Sequence, residues 1–252
     1  MKVIAIVNQK GGCAKTTTVV NLAAAIAEKG KRVLVIDLDP QGNASQWLGS
    51  TGAGANAYDL LMQECDVNSV LTESNVVNVG LIASTRLLAK VERAPVDDIE
   101  IETRLKNRLS ALSPKKWDFV LIDTPPTLGV LTLNAMNAAN FLLIPVTTHV
   151  MTLTGVAQLV QLFEEVRDQF NPELSILGLL PSRVDLRTRH AQEILSALNH
   201  SFGKLVFKSH IRESVRLAEA PSFQENILLY NPKSTAAKEY RELATEFLKR
   251  TQ

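Results

Sequence analysis

A chain of 252 residues with 46% hydrophobic and 21% charged side chains sits near the soluble globular average, which excludes disordered and collagen-like classes. Two cysteines, Cys13 and Cys65, give no disulfide framework and no CxxC ligand pair, and no apolar run reaches the roughly 18 residues of a membrane span. The net charge is +1, unevenly placed: residues 181–252 hold twelve Lys or Arg against eight Asp or Glu, so the C-terminal third is the basic side.

In chain order, the start MKVIAIVNQKGG runs into glycine without the longer apolar core and cleavage site of a signal peptide, so a cytoplasmic location is expected. Val3 to Val7 reads as a strand, the Gly/Lys/Thr segment after it as a loop, and Thr17 to Ala27 as a helix. Further apolar runs of strand length are Arg32–Asp37, Phe119–Asp123, Phe141–Pro145 and Ser175–Leu180. Runs without polar alternation belong to strands buried on both faces. Helices are expected at Asp98–Leu112, Val130–Ala138, Leu153–Gln169, Thr188–Leu198 and Ser234–Lys249, and Gly49–Gly54 as a surface loop. Alternating strands and helices predict one α/β domain over 1–252: a doubly wound, mostly parallel sheet with helices on both faces.

The chemistry is concentrated at three places. Lys10-Gly-Gly-Cys-Ala-Lys15-Thr16-Thr17 follows a strand and opens a helix, the context of a phosphate-binding loop. Gly11 and Gly12 let backbone N–H groups turn inward on phosphate oxygens, and the helix N-terminus adds a favourable dipole. Lys15 then reaches the β and γ phosphates, Thr16 ligates Mg²⁺ and Thr17 meets the α phosphate. Cys13 contributes its backbone, with a thiol that the helix N-terminus should make more acidic. Ala14 should be helix-like, because alanine tolerates positive φ poorly. The second strand ends Ile36-Asp37-Leu38-Asp39, where alternation puts two carboxylates on one side; the third ends Ile122-Asp123, at the carboxyl end where an open α/β sheet holds ligands. Asp123 reads as the carboxylate that orients Mg²⁺.

Three blocks, IAIVNQKGGCAKTTTVVNLAAAIAEKGKRVLVIDLDPQGNAS, FVLIDTPPTLGVLTLNAMNAANFLLIPV and IRESVRLAEAPSFQENILLYNPKS, resemble the ParA/MinD family of deviant P-loop ATPases, most of all its small Soj-like ParA members. The resemblance implies an ATPase with slow intrinsic turnover. It also implies an ATP-dependent homodimer in which Lys10 reaches the partner's phosphates and Asp39 positions the attacking water, with Asp37 and Asp123 near Mg²⁺. Gln41 and Asn43 would fix the loop, and the stretch Leu180-Pro181-Ser182-Arg183-Val184-Asp185 would place Pro181 and Arg183 near adenine. Many family members carry Gly at the position of Ala14, which puts the hydrolysis rate here in question. A helix-turn-helix extension before the first strand is not expected, and with it goes operator-specific DNA binding.

Between Arg183 and Arg216 stand seven basic residues against three acidic ones, with few aromatics, a pattern suited to sequence-independent phosphate contacts on duplex DNA or simply to a solvated face. Soj-like proteins bind nonspecific DNA as ATP dimers, so Arg187, Arg189, Lys204, Lys208 and Arg216 are the candidate DNA contacts. The same resemblance implies a nucleoid-associated protein stimulated by a ParB-like partner. The alternative is a MinD-like membrane-associated ATPase using a C-terminal amphipathic helix with Tyr240, Leu243, Phe247 and Leu248 on one face. Glu239, Glu242 and Glu246 suit that helix poorly to anionic lipid, so a helix docked on the core and not bound to a membrane is the expectation. A nitrogenase-iron-protein-like reductase needs two cluster cysteines per subunit, and Cys13 lies inside the phosphate loop. His149, His190, His200 and His210 have no ligand spacing, and Trp47 and Trp117 read as packing residues.

Overall fold

The structure, a computed structural model, describes residues 1–63, 65–93, 101–148 and 152–252, so His149 and the start of the helix expected from Asp98 lie outside the described residues. The strands are β1 (Lys2–Ile6), β2 (Val33–Asp37), β3 (Thr72–Glu73), β4 (Val79–Ile82), β5 (Phe119–Asp123), β6 (Phe141–Thr147), β7 (Ser175–Val184) and β8 (Ile211–Arg212). The helices are α1 (Lys15–Ala27), α2 (Asn43–Trp47), α3 (Ala57–Met62), α4 (Leu88–Val91), α5 (Arg104–Leu109), α6 (Val130–Ala138), α7 (Thr152–Gln169), α8 (Arg189–Phe202), α9 (Val215–Glu219), α10 (Ile227–Tyr230) and α11 (Thr235–Arg250).

Among the described residues eight strands join one sheet in the order β3-β4-β2-β5-β1-β6-β7-β8, and only the two-residue β3 runs antiparallel. Period-two alternation divides each central strand between two cores. Val3 and Ala5, Leu34 and Ile36, Val120 and Ile122 face a cluster covered by α3 to α8; Ile4 and Ile6, Val33 and Val35, Phe119 and Leu121 face one covered by α1, α2 and α9 to α11. The doubly wound α/β sheet expected from the apolar runs is therefore the fold.

The differences have local causes. Val79–Ile82 is four residues long and contains Gly80, on whose Cα the Trp117 ring packs so closely that an added Cβ would sit 2.4 Å from it. Too short and too glycine-bearing to read as a strand, it is nonetheless a buried one. The helix expected to begin at Asp98 is a 3₁₀ turn at Ile101–Thr103 followed by the six residues of α5. β7 continues past Leu180 to Val184, so Pro181, Ser182 and Arg183 are strand residues rather than loop.

The final helix is docked. Tyr240, Leu243 and Phe247 are fully buried, Phe247 meets the Phe119 ring edge-on with centroids 5.4 Å apart, and the Tyr240 hydroxyl donates to the Thr17 carbonyl at 3.3 Å. Its carboxylates are engaged as well: Glu239 pairs with Arg212, and Glu246 accepts from the amides of Lys208 and Ser209 at 3.0 and 2.8 Å. Among the described residues no helix is long and apolar enough to cross a membrane. Phe247→Ala should cost about 3–5 kcal/mol in urea unfolding; a change below about 1 kcal/mol would mean that α11 detaches from the core in solution.

Candidate active site

The carboxyl ends of β1, β2 and β5 meet at one point because the strands are in register there. Asp123 lies directly beside Ile6 on one side and Asp37 on the other. Both carboxylates are completely buried. Asp37 is held on both oxygens: Oδ1 accepts from the Asp39 amide at 3.0 Å, and Oδ2 from the amide and hydroxyl of Ser45 at 2.8 and 2.7 Å. Asp123 accepts from the Thr16 hydroxyl on Oδ2 at 2.7 Å, while its Oδ1 is buried with no hydrogen-bond partner. An unpartnered carboxylate oxygen beside a threonine hydroxyl is an expensive arrangement in a protein interior unless a cation or its bound water completes it. The residues therefore fit Mg²⁺, with Thr16 and Asp123 as the groups that could hold it and Asp37 behind them.

Burial pushes the Asp37 carboxyl up to about 6 against the hydrogen bonds from Ser45, with the Asp39 charge adding to the rise. Burial and then the Asp37 charge hold Asp123 well above the ordinary aspartate range, against Thr16 and Lys15. Lys15 is the counter-charge. The residue is buried, and its ammonium donates to the Asn8 carbonyl at 2.9 Å.

The phosphate loop is built on Asn8, whose side-chain oxygen accepts from the Lys10 amide at 2.9 Å and whose amide nitrogen donates to the Pro145 carbonyl at 2.6 Å. Gly11 and Gly12 are exposed at the mouth, and α1 begins with no side-chain cap and no acidic residue in its first turn. Its first amides are left for an anionic ligand, the physical requirement of a phosphate site. Lys10 is exposed and outside this cradle. Thr17 lines a cavity of about 260 Å³ beside the loop, together with Gly12, Ala14, Arg183, Glu213 and Ser214. Pro181 is buried in β7 opposite Val146, away from that lining.

Three expectations are corrected here. Ala14 is not helix-like: it caps α1 in the left-handed region at φ 72°, ψ 30°, because the chain must reverse between Gly12 and the helix. The Cys13 thiol is raised, not lowered, since burial outweighs the pull of Lys15. Asp39 also stands differently from strand alternation. β2 ends at Asp37, and Asp39 begins the next turn, its Oδ1 accepting from the Gln41 amide at 2.9 Å and its carbonyl from the Ser84 hydroxyl. Ser45, Ser84 and Asn8 were missed, since isolated serines and asparagines carry no spacing signal; an Asn placed between a strand and a Gly-rich loop is the one cue available.

The basic candidates divide. Arg187 and Arg189 lie just beyond β7 at the start of α8, and Arg216 is on α9; all three are exposed. Lys204 follows the other end of the 14-residue α8, roughly 20 Å from Arg189 by helix rise, and Lys208 lies beyond it. The five do not form one cluster with the loop. His190, His200 and His210 join no group of three or more metal-ligating side chains among the described residues.

Residues 1–176 match the AAA domain family. The sporulation initiation inhibitor protein Soj of Bacillus subtilis is 41% identical over 97% of this chain and 97% of its own length. The chain belongs to the ParA/Soj family of P-loop ATPases. The chromosome-partitioning ATPase Soj of Thermus thermophilus is 44% identical over 99% of this ParA/Soj-family chain and 96% of its own. The cobyrinic acid a,c-diamide synthase of Mycobacterium smegmatis, solved with a bound ATP analogue and magnesium, is 32% identical and superposes with a TM-score of 0.86, covering 100% of this chain and 96% of that one.

Two measurements test the site's energetics. Ala14→Gly removes the Cβ from a left-handed residue and should stabilise the nucleotide-free protein by about 1 kcal/mol in urea unfolding, with destabilisation contradicting the loop geometry. A buried carboxyl with a raised pKa costs nothing while folded and unfolded states are both protonated, and destabilises progressively as pH climbs from the unfolded value of 3.8 through the folded one. The melting temperature of Asp123→Asn minus that of the wild type should therefore grow as pH rises above about 4 and remain positive at neutrality. A flat difference would show that the site holds its carboxylates without strain.

Proposed function

We propose that this protein is an ATP-dependent dimer switch: with ATP and Mg²⁺ at Gly11 to Thr17, two copies pair face to face, the dimer grips duplex DNA without sequence preference, and hydrolysis releases it. In this reading residues 1–252 act as one ATPase unit that segregates or positions a chromosome, plasmid or protein cargo carried by a ParB-like partner. The observation that carries it is the unpartnered Asp123 oxygen beside Thr16 at the uncapped start of α1, in a chain 41% identical to a Soj protein over 97% of its length.

Each residue then has a task set by its surroundings. Lys15, adjacent to the Asp123 charge, exchanges the Asn8 carbonyl for β and γ phosphate oxygens. Mg²⁺ on Thr16 and Asp123, with Asp37 behind, would neutralise charge developing on the transferred phosphoryl group. Asp39, anchored through its backbone by Asp37 and Ser84, orients the attacking water. The exposed Lys10 points to a role outside its own loop, on the partner's phosphates. The lining of Thr17, Arg183, Glu213 and Ser214 supplies the nucleoside subsite. Intrinsic turnover is slow and the partner's basic segment accelerates it. Arg187, Arg189 and Arg216 make the DNA contacts nearest the nucleotide, with Lys204 and Lys208 peripheral, and the protein is nucleoid-associated.

Co-sedimentation with nonspecific duplex DNA and with anionic liposomes, in ATP and in ADP, checks this. The wild type and Asp39→Ala should pellet with DNA in ATP only, with affinity falling steeply as salt rises from about 50 to 200 mM, and neither should pellet with liposomes. Pelleting with liposomes alone would overturn the reading in favour of a membrane-associated ATPase.

A further inference from the structure

At the end of β7, Arg183 does more than line the cavity beside the loop. β7 and β8 lose register between Ser182 and Val184, and the residue between them, Arg183, has φ +53°, a left-handed conformation that arginine rarely adopts. A bulge of this kind re-aims one side chain out of the ladder. Here the re-aimed guanidinium spans two separate parts of the chain. Nη1 donates to the Gly12 carbonyl at 3.0 Å, while Nε and Nη2 form a two-pronged bond to the Glu213 carboxylate at 2.9 and 3.0 Å. Gly12 is at the mouth of the phosphate loop. Glu213 is tied to β7 by its amide, which donates to the Val184 carbonyl at 3.2 Å, and it stands between Arg212 and Arg216.

We infer that Arg183 is a positioning residue that couples the phosphate loop to the basic segment 212–216. The planar fork of arginine is what makes this possible: one group satisfies a backbone carbonyl and a carboxylate at fixed mutual angles, which a lysine ammonium cannot do. The strap borders the 260 Å³ cavity beside the loop, so a ligand that settles there and reshapes the Gly12 peptide changes what Arg183 can hold, and with it the placement of Glu213 and its flanking arginines. Two sites joined through one bistable contact are the minimum device for linkage. As a statement about DNA, the inference rests on the switch proposed above; as a statement about the segment, it does not.

The test uses full-length wild type, Arg183→Ala, Arg183→Lys and Glu213→Gln, each at saturating ATP or ADP. The first readout is amide hydrogen exchange over 211–218. ATP should change protection there in the wild type, and Arg183→Ala and Arg183→Lys should lose the nucleotide dependence while Glu213→Gln keeps part of it. The second is the ratio of duplex-DNA affinity in ATP to that in ADP, which should fall at least about fivefold in Arg183→Ala. A merely structural Arg183 would shift exchange equally in both nucleotides and leave the ratio intact, which would overturn the inference. If the wild type binds no DNA yet exchange over 211–218 still follows nucleotide through Arg183, the DNA reading has failed and the coupling stands.

Discussion

Two carboxylates lie side by side inside this protein because β2 and β5 are in register at their ends, Asp37 against Asp123. Much of the site's architecture answers that juxtaposition. Desolvation and mutual repulsion raise both acids, so the site stores an electrostatic penalty that positive charge and hydrogen-bond donors relieve. The fold supplies part of the relief from Lys15, and part from donors: two from Ser45 and one from the Asp39 amide toward Asp37, and the Thr16 hydroxyl toward Asp123. What remains unsatisfied is one oxygen, Asp123 Oδ1. The position is thus primed for a divalent cation arriving with phosphate, and the coupling runs both ways: the cation favours the ionised acids, and the ionised acids favour the cation.

The same register explains why the loop can sit where it does. β1 enters between β5 and β6, so Asn8 emerges beside the Pro145 carbonyl and can pin the chain just before the glycines. α1 then starts abruptly from a left-handed residue, with buried Val19, Leu22, Ala23 and Ile26 fastening it to the sheet. Asn21 binds it to the C-terminal part of the chain, accepting from the Ile227 amide at 2.7 Å. A helix held this firmly presents its first amides in fixed directions, which is the preorganisation that phosphate binding needs.

The sheet and the loop were legible because their signals are local and redundant. Phe119–Asp123 and Val130–Ala138 match the expected boundaries, since four successive apolar residues ending in Asp, or a helix bounded by Gly129, leave little choice. Ala14 was misread because residue preference argues against positive φ, whereas the path from Gly12 into α1 imposes it; tertiary geometry won over propensity. β4 was hidden by Gly80, whose missing side chain is what admits Trp117. The strap at Arg183 had no sequence signature at all. Its partners are 171 and 30 residues away, and only the bulge in β7 brings them together.

The surface arginines show why composition alone overstates a basic face. Arg187 pairs with Asp185, Arg216 with Glu219, Arg212 with Glu239 and Arg183 with Glu213, so at the site end of the molecule four cations are each matched by a carboxylate of the same chain. Glu239 is buried, but the other three pairs are exposed and individually weak, about 0–1 kcal/mol, and therefore exchangeable for a phosphate, though each exchange strands an acid nearby. The electrostatic grip of one copy on a nucleic acid backbone is correspondingly small. In the switch proposed above, pairing two copies would double the contacts on one duplex and make the second set intramolecular, so that a surface too weak to act alone would become effective once the nucleotide site brought its partner in.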